Sequence, residues 1–156
     1  MLKRVHHMSF TVSNLERSIE FYRDVLGLSL WFPMEYRGGT LAAITGMPDV
    51  HMKGAFMRLG DFRLELWQYL HPEGMKIAPR TCDVGSAHIA FLVDDIQEVY
   101  RNLLAKGVRF RSEPQLGTEP GPGKDTWSLY FEDPSGNTLE LIELPPRLRK
   151  QVEIIP

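Results

Sequence analysis

Short stretches of alternating hydrophobic and polar residues are separated along the chain by segments with helical spacing. The stretch His7–Val12 alternates and is rich in β-forming residues, which predicts a strand. The next apolar residues fall on one face of a helix: Leu15, Ile19, Tyr22 and Leu26. Ser13 with Glu16 is typical of the start of a helix, and Gly27 of its end. The chain therefore opens with a strand followed by an amphipathic helix.

The same pattern occurs a second time. His88–Val93 alternates like the first strand, and in both copies the valine follows the histidine by five positions. Asp95 with Glu98 predicts the start of the next helix, and Gly107 predicts its end. One apolar stripe lies between them: Ile96, Val99, Tyr100, Leu103 and Leu104. Such a repeat predicts two similar structural modules.

Short strand candidates follow each helix. In the first half they are Ser29–Phe32, Thr40–Ile44, Gly54–Leu59 and Arg63–Tyr69. In the second half they are Val108–Arg111, Thr126–Glu132 and Thr138–Leu144. Each half therefore predicts the order β-α-β-β-β, and the whole chain an α+β fold of two tandem modules. We expect a single domain, 1–156, made of a module at 5–73, a module at 85–144 and a C-terminal tail at 145–156.

Two histidines and two glutamates take the same places in both modules. His7 and His88 open the first strand of each module, while Glu65 and Glu140 lie in the last strand within a Leu-Glu-Leu sequence. Strand side chains alternate between faces, and the more apolar faces should pack on the helices, so all four point to the face without helices. Two histidines and two carboxylates on one face favour a divalent cation as their partner. Taken singly, each residue is more often an ordinary polar residue on the surface of a strand. Their recurrence at equivalent points of both modules favours the ligand interpretation.

Composition and charge narrow the functional classes. The 156 residues carry 18 Lys and Arg against 20 Asp and Glu, a net charge of −2 without a basic stripe, which argues against nucleic acid as a partner. No apolar run approaches the roughly 18 residues that span a bilayer, and the N-terminus lacks the features of a secretory signal. Cys82 is the single cysteine, which excludes an intramolecular disulfide and a cysteine-based zinc site. We expect a cytoplasmic protein with a small-molecule substrate and no membrane partner.

Three segments carry a resemblance to a known family: HMSFTVSNLERSIEFYRDVLGL from His7, GSAHIAFLVDDI at 85–96 and DPSGNTLELIEL at 133–144. They are similar to the vicinal oxygen chelate superfamily, which includes glyoxalase I, methylmalonyl-CoA epimerase, extradiol dioxygenases, and fosfomycin- and bleomycin-resistance proteins. The resemblance covers roughly Val5 to Leu144. It implies two βαβββ modules that form a cup-shaped mixed sheet around one divalent metal ion per chain. The implied ligands are His7, Glu65, His88 and Glu140.

The four-ligand set implies a class of reaction within this superfamily. Extradiol dioxygenases and fosfomycin enzymes lack a carboxylate at the position of Glu65, so Glu65 favours isomerase, epimerase or lyase chemistry. The expected reaction removes a proton next to a carbonyl group, with Glu65 or Glu140 as the base and the metal stabilising the enolate of a small oxygenated substrate. Nitrogen and oxygen ligands are compatible with nickel, cobalt, manganese, iron or zinc.

Two other functions stay open at the level of sequence. An extradiol-type dioxygenase would use iron or manganese held by the two histidines and Glu140, with Glu65 turned away. A metal-free binding or resistance protein would instead stack a flat ligand on aromatic side chains such as Trp67, Tyr69 and Trp127. Oxygen uptake identifies the first alternative, and the metal content of the pure protein identifies the second.

Further residues are expected to serve the site. Arg63 and Trp67 share the strand face of Glu65, and with Trp127 they are candidates for a substrate pocket. The segment 115–125 is rich in glycine and proline and is a candidate lid. The tail leaves the last strand at two prolines, and its apolar residues predict a homodimer interface. These residues are Leu148, Val152, Ile154 and Ile155. The alternative is that the tail folds back over its own subunit.

Overall fold

The computed structural model describes residues 1–152. The chain divides into two compact units, Met1–Ala78 and Pro79–Pro156. Each unit contains a four-stranded mixed sheet together with helices, which confirms the predicted α+β class with two β-α-β-β-β modules. None of the helices within residues 1–152 combines the length and the apolar character that a membrane span requires.

The first unit contains four strands and two α-helices: β1 (Met8–Thr11), α1 (Leu15–Glu20), β2 (Ser29–Arg37), α2 (Gly39–Thr45), β3 (His51–Leu59) and β4 (Phe62–His71). A π-helical turn, Phe21–Val25, continues α1. The strand order is β1-β4-β3-β2, with β1 parallel to β4 and the other pairs antiparallel. Helix α1 packs against β3 and β4, where Leu64 and Leu66 are completely buried. Tyr22 is buried as completely, so the helical segment forms one side of this core.

The second unit repeats this arrangement with shorter strands: β5 (His88–Leu92), α3 (Ile96–Ala105), β6 (Gln115–Leu116), β7 (Trp127–Glu132), β8 (Thr138–Glu143) and α4 (Pro146–Val152). The strand order is β5-β8-β7-β6, and β5 is parallel to β8. Ile96, Phe131 and Leu139 are completely buried and come from α3, β7 and β8. The core of each unit therefore lies between the first long helix and one face of its sheet.

The first helix of each unit is tied to the last strand by its first backbone N–H group. In α1 the N–H of Leu15 donates to Oε1 of Gln68 at 2.9 Å, and in α3 the N–H of Ile96 donates to Oε2 of Glu143 at 2.9 Å. The helix caps lie next to these bonds. Asp95 caps α3 as predicted by accepting from the N–H of Glu98.

The cap of α1 differs from the sequence prediction by one residue. The sequence favours Ser13, but the side chain of Asn14 accepts from the N–H of Arg17 at 2.8 Å. Asn14 has the extended backbone of a capping residue. The reason is the bond from Leu15 to Gln68, which makes Leu15 the first helical residue and leaves Asn14 directly before it.

The predicted strand Thr40–Ile44 is wrong, because these residues belong to α2. Leucine and two alanines at 41–43 are strong helix formers, and the hydroxyl of Thr45 donates to the carbonyl of Leu41 one turn earlier at 2.9 Å. Gly46 follows with a φ of 69°, the left-handed conformation that ends helices. A largely apolar run of five residues is too short to distinguish a strand from a single helical segment.

The third element of the second unit is a strand, as predicted, but not at the predicted residues. Val108–Arg111 forms only an isolated bridge from Phe110 to Phe131, while Gln115–Leu116 pairs with β7. The N–H of Val108 bonds to the carbonyl of Leu103 at 3.1 Å. The start of this segment therefore caps the end of α3, and regular pairing with β7 begins only at Gln115.

The segment after β6 closes on itself through backbone hydrogen bonds. The N–H of Gly117 donates to the carbonyl of Thr126 at 2.9 Å, and the N–H of Asp125 donates to the carbonyl of Gly117 at 2.8 Å. A Cβ on Gly117 would lie 2.6 Å from the carbonyl oxygen of Gly123, so only glycine permits this close crossing. Movement of 115–125 as a lid stays a prediction.

Helix α4 begins the C-terminal tail and is held against its own unit by two arginines. Arg149 donates from Nε to the carbonyl of Leu144 at 2.8 Å, and Arg147 donates to the carbonyl of Lys124. Leu148 is half-buried. The Val152 side chain, Ile154 and Ile155 lie outside the described part of the chain, so their role in a homodimer interface stays a prediction.

Ser18 is a weak point in the first core. It is completely buried in α1, and its hydroxyl has no hydrogen-bond partner among the described residues. Ser18→Ala removes this unsatisfied group and introduces a better helix former, so we expect the free energy of unfolding to rise by about 1 kcal/mol. Urea denaturation measures the change.

Ser29→Ala is the matched control. The Ser29 hydroxyl is exposed and donates to the carbonyl of Arg58 at 3.3 Å. We expect its removal to change the unfolding free energy by no more than about 0.5 kcal/mol. A loss of stability in Ser18→Ala would show that the hydroxyl has a partner after all.

Candidate functional site

The first unit brings His7 and Glu65 together. The register of β1 and β4 places Ser9 opposite Glu65, and His7 lies two residues before Ser9 on the same face. Nε2 of His7 and Oε2 of Glu65 are 3.3 Å apart. Only 13% of the Glu65 side chain is exposed, whereas 35% of His7 is exposed. The carboxylate thus lies deep beside a more accessible imidazole.

The second unit repeats this pair with the same register. Ala90 lies opposite Glu140, and His88 lies two residues before Ala90. Nε2 of His88 and Oε2 of Glu140 are 3.1 Å apart, and 14% of the Glu140 side chain is exposed. The sequence duplication therefore corresponds to a duplication of geometry, with one imidazole–carboxylate pair in each unit.

An aromatic ring completes each pair. Phe56 lies opposite Glu65 on the neighbouring strand, and its ring centroid is 5.5 Å from that of His7 in an edge-to-face arrangement. Tyr130 takes the same place opposite Glu140, 5.3 Å from His88. The two half-sites, His7–Glu65–Phe56 and His88–Glu140–Tyr130, therefore differ in their third residue by one hydroxyl group.

Each imidazole–carboxylate pair fits two ligands of one divalent ion. Donor atoms about 2.0–2.2 Å from an ion, at angles between octahedral and tetrahedral, lie about 3.0–3.5 Å from each other. The nitrogen–oxygen distances of 3.3 and 3.1 Å match this range. Taken by itself, neither unit gathers three or more His, Cys, Asp or Glu side chains among its described residues into a metal-binding group. Each unit thus contains two of the four predicted ligands.

The predicted pocket residues of the first unit lie on the Glu65 face of β4. Arg63 and Trp67 are each two residues from Glu65 along this strand. The guanidinium carbon of Arg63 is 5.1 Å from the ring centroid of Trp31. The indole of Trp67 covers Gly54, where a Cβ atom would lie 2.4 Å from the ring. The absence of a side chain at Gly54 therefore allows the ring of Trp67 to lie directly against the backbone of the neighbouring strand.

Trp127 is not brought to the corresponding face of the second unit. It lies opposite Glu143, whose carboxylate points to the start of α3, whereas Tyr130 lies opposite Glu140. The sequence analysis did not select Tyr130. The available signal was the duplication itself, because Tyr130 and Phe56 occupy equivalent positions opposite the two site glutamates.

The environment of Tyr130 keeps its phenol protonated. Burial raises the pKa of Tyr130, the negative charge of Glu140 raises it further, and Arg111 opposes this shift. The Arg111 guanidinium is held by Glu132 at 3.1 Å and by the Thr138 hydroxyl at 3.2 Å. Tyr130 is therefore a hydrogen-bond donor beside the His88–Glu140 pair at neutral pH.

We expect Glu140→Gln to lower the pKa of Tyr130, because it removes the neighbouring negative charge. The pKa should stay above that of a free phenol, since burial is the larger cause of the shift. An NMR titration of ring-labelled tyrosine in the presence of a chelator measures it, with the signal assigned by Tyr130→Phe. Glu143→Gln, on the opposite face of β8, is the control and should leave this pKa unchanged. An unchanged pKa in Glu140→Gln would contradict the described contact.

Comparison with known proteins covers nearly the whole chain. The sequence profile of the Glyoxalase/Bleomycin resistance protein/Dioxygenase superfamily matches residues 4–141. A 2-epi-5-epi-valiolone epimerase from an Actinomyces species is 34% identical over 147 residues, which cover 90% of this chain and 79% of that protein. The mitochondrial methylmalonyl-CoA epimerase of Mus musculus is 29% identical over 147 residues, covering 90% of this chain and 72% of that protein.

Solved structures show the same fold. The crystal structure of a glyoxalase family protein from Bacillus cereus matches with a TM-score of 0.78 and 24% sequence identity, covering 92% of this chain and 95% of that one. Other sequence relatives include a lactoylglutathione lyase and metallothiol transferases. The chain is thus similar to enzymes of several reaction classes, with epimerases, lyases and transferases among them.

Proposed function

The chain belongs to the Glyoxalase/Bleomycin resistance protein/Dioxygenase superfamily, and we propose that within it this protein is a divalent-metal-dependent epimerase that acts on a small oxygenated substrate. The observation that carries the proposal is the duplicated imidazole–carboxylate pair, built with the same strand register in both units. The 34% identity to the 2-epi-5-epi-valiolone epimerase, against 28% to the lactoylglutathione lyase, supports this class.

The residues proposed to hold one ion per chain are His7, Glu65, His88 and Glu140. A divalent ion at such ligands supplies a Lewis acid that polarises a carbonyl group and makes an adjacent C–H bond more acidic. The nearly buried carboxylates lie beside aromatic rings, which exclude water and favour proton transfer.

We assign the base to Glu65 and the supporting hydrogen bond to Tyr130. Glu65 lies opposite Phe56, which offers no hydrogen-bond donor to occupy its carboxylate. Glu140 lies beside the protonated phenol of Tyr130, which is able to donate to a substrate oxygen. In this proposal Glu65 moves the proton, and the Glu140 half-site orients the substrate.

Metal binding is the first test of the proposal. We expect about one divalent ion per chain after reconstitution, measured by elemental analysis and by the visible spectrum of the cobalt form. His7→Ala and His88→Ala should each weaken binding by about 100-fold or more, beyond the 10–100-fold typical for the loss of a residue outside the ligand set.

The matched control is His51→Ala. His51 also lies beside a glutamate, with Nε2 2.7 Å from Oε1 of Glu35, but it is not part of the duplicated pairs. This variant should retain the ion with unchanged affinity. A wild-type protein that retains no ion from several divalent metals would favour the metal-free binding protein instead.

Proton exchange is the second test. In D₂O the protein should exchange the hydrogen on the substrate carbon next to a carbonyl for deuterium. Proton NMR measures the loss of this signal for a panel of candidate substrates that includes 2-epi-5-epi-valiolone and methylmalonyl-CoA. Glu65→Gln should keep the metal and lower the exchange rate by about 100- to 10,000-fold, the usual contribution of a general base. If Glu140→Gln shows the larger loss, the two roles are exchanged. Stoichiometric oxygen uptake with ring cleavage would identify a dioxygenase.

The remaining proposals concern assembly and location. We propose a homodimer, supported by the apolar composition of the tail, and a cytoplasmic location, supported by the single cysteine Cys82. The proposed partner of the site is a small molecule.

A further inference from the structure

We propose that Arg63, whose guanidinium lies over the ring of Trp31, forms an oxyanion-binding subsite on the Glu65 face of the first unit, so that the substrate carries a carboxylate or phosphate group. The substrate assignment rests on the proposed function, whereas the binding of an oxyanion does not. The contact between Arg63 and Trp31 is not part of the duplicated pattern, because neither residue belongs to the two half-sites.

Arg63 has no carboxylate partner in the part of the chain that the structure describes. Among residues 1–152, the guanidinium of Arg63 contacts the Trp31 ring, and no Asp or Glu oxygen lies within 4.0 Å of it. Three other arginines of the first unit do have such partners: Arg23 with Asp24, Arg37 with Glu35 and Arg58 with Asp61. Arg4 and Arg17 have none among the described residues either, but both are exposed, whereas Arg63 is half-buried. The residue directly opposite Arg63 on β3 is Arg58, another cation. Like charges at opposed positions destabilise a sheet, and a bound anion would relieve this cost.

A strand irregularity brings Trp31 under Arg63. The pairing of β2 with β3 shifts between Leu30 and Phe32, which leaves Trp31 as an additional residue in the edge strand. The Trp31 ring lies 4.9 Å from Phe32 and 6.2 Å from Phe56, the ring opposite Glu65. The irregularity therefore turns an indole towards the face that carries the half-site, and 48% of this residue stays exposed.

Stacking prepares the guanidinium for an oxyanion. A planar guanidinium that lies on an aromatic ring keeps the N–H groups of its edge free, and these donate in pairs to carboxylate or phosphate oxygens. Holding Arg63 on Trp31 also reduces the side-chain freedom that binding would remove. The arrangement thus provides a positive charge over an aromatic ring and N–H donors that no carboxylate of the described residues occupies.

The position of Arg63 relates the oxyanion to the reacting carbon. Arg63 lies two residues before Glu65 on the same strand face, a separation of about 7 Å along a strand. A substrate whose C–H bond lies at Glu65 would place its anionic group about that far away, towards the end of β4 where Phe62 begins the strand. The chemistry favours an acidic substrate over a neutral one.

The test uses inorganic phosphate and phenyl phosphate with the full chain, at constant ionic strength adjusted with chloride. The readout is the indole N–H signal of Trp31 in a proton–nitrogen NMR spectrum, in which the three tryptophans give separate signals. We expect a saturable shift of the Trp31 signal at roughly millimolar concentration and no saturable shift of Trp127. Arg63→Gln should weaken this binding by about 10-fold or more, and Arg63→Lys by a smaller factor because the charge remains.

Two controls separate this proposal from folding effects and from the metal. Arg17→Gln removes an exposed arginine of α1 and should leave the affinity for phosphate unchanged. His88→Ala, which removes a proposed metal ligand, should also retain phosphate binding. Equal phosphate affinity in Arg63→Gln and the wild type would overturn the subsite, and so would a loss of binding in His88→Ala. If phosphate binds through Arg63 but no proton exchange or metal binding is found, the subsite stands and the proposed function fails.

Discussion

The last strand of each unit uses its two faces for two different purposes, and the rest of the unit depends on this division. In β4, Glu65 points to the half-site, while Gln68 accepts the first N–H of α1 on the opposite face. In β8, Glu140 and Glu143 divide these roles in the same way. Residues three apart in a strand face opposite sides. The register of the last strand therefore fixes both the position of the helix start and the face to which the carboxylate points. A slip by one residue would exchange them and place an acidic group in the core.

The parallel pairing of the first and last strands adds the histidine to this arrangement. Ser9 opposite Glu65 and Ala90 opposite Glu140 are the same register in two units, and each brings a histidine two residues away to its carboxylate. Because the repeat is so regular, the differences between the units indicate where their roles in the site diverge. Tyr130 offers a hydrogen-bond donor at the position where the first unit has Phe56. Among the described residues, a contact like that of Arg63 with Trp31 occurs in the first unit alone.

The features that follow from short-range periodicity could be predicted from the sequence. Most of the elements and the shared face of Glu65 and Trp67 depend on the spacing of residues along single segments, which the sequence displays directly. The equivalence of the two histidines and the two glutamates follows from the duplication. The features that depend on pairing between strands could not be predicted. The face of Trp127 is set by where β7 meets β8, the place of Trp31 by the irregularity in β2, and the start of α1 by a bond to Gln68.

Gly54 shows how the shape of a binding face can be controlled from beneath it. Trp67 is the largest side chain on the Glu65 face of β4, and its position depends on a missing methyl group on the neighbouring strand. Any side chain at Gly54 would lift the indole and alter the space above the sheet without changing a residue that lines it. A laboratory search for altered substrate preference that varied only the exposed aromatic residues would therefore omit the position that sets their depth.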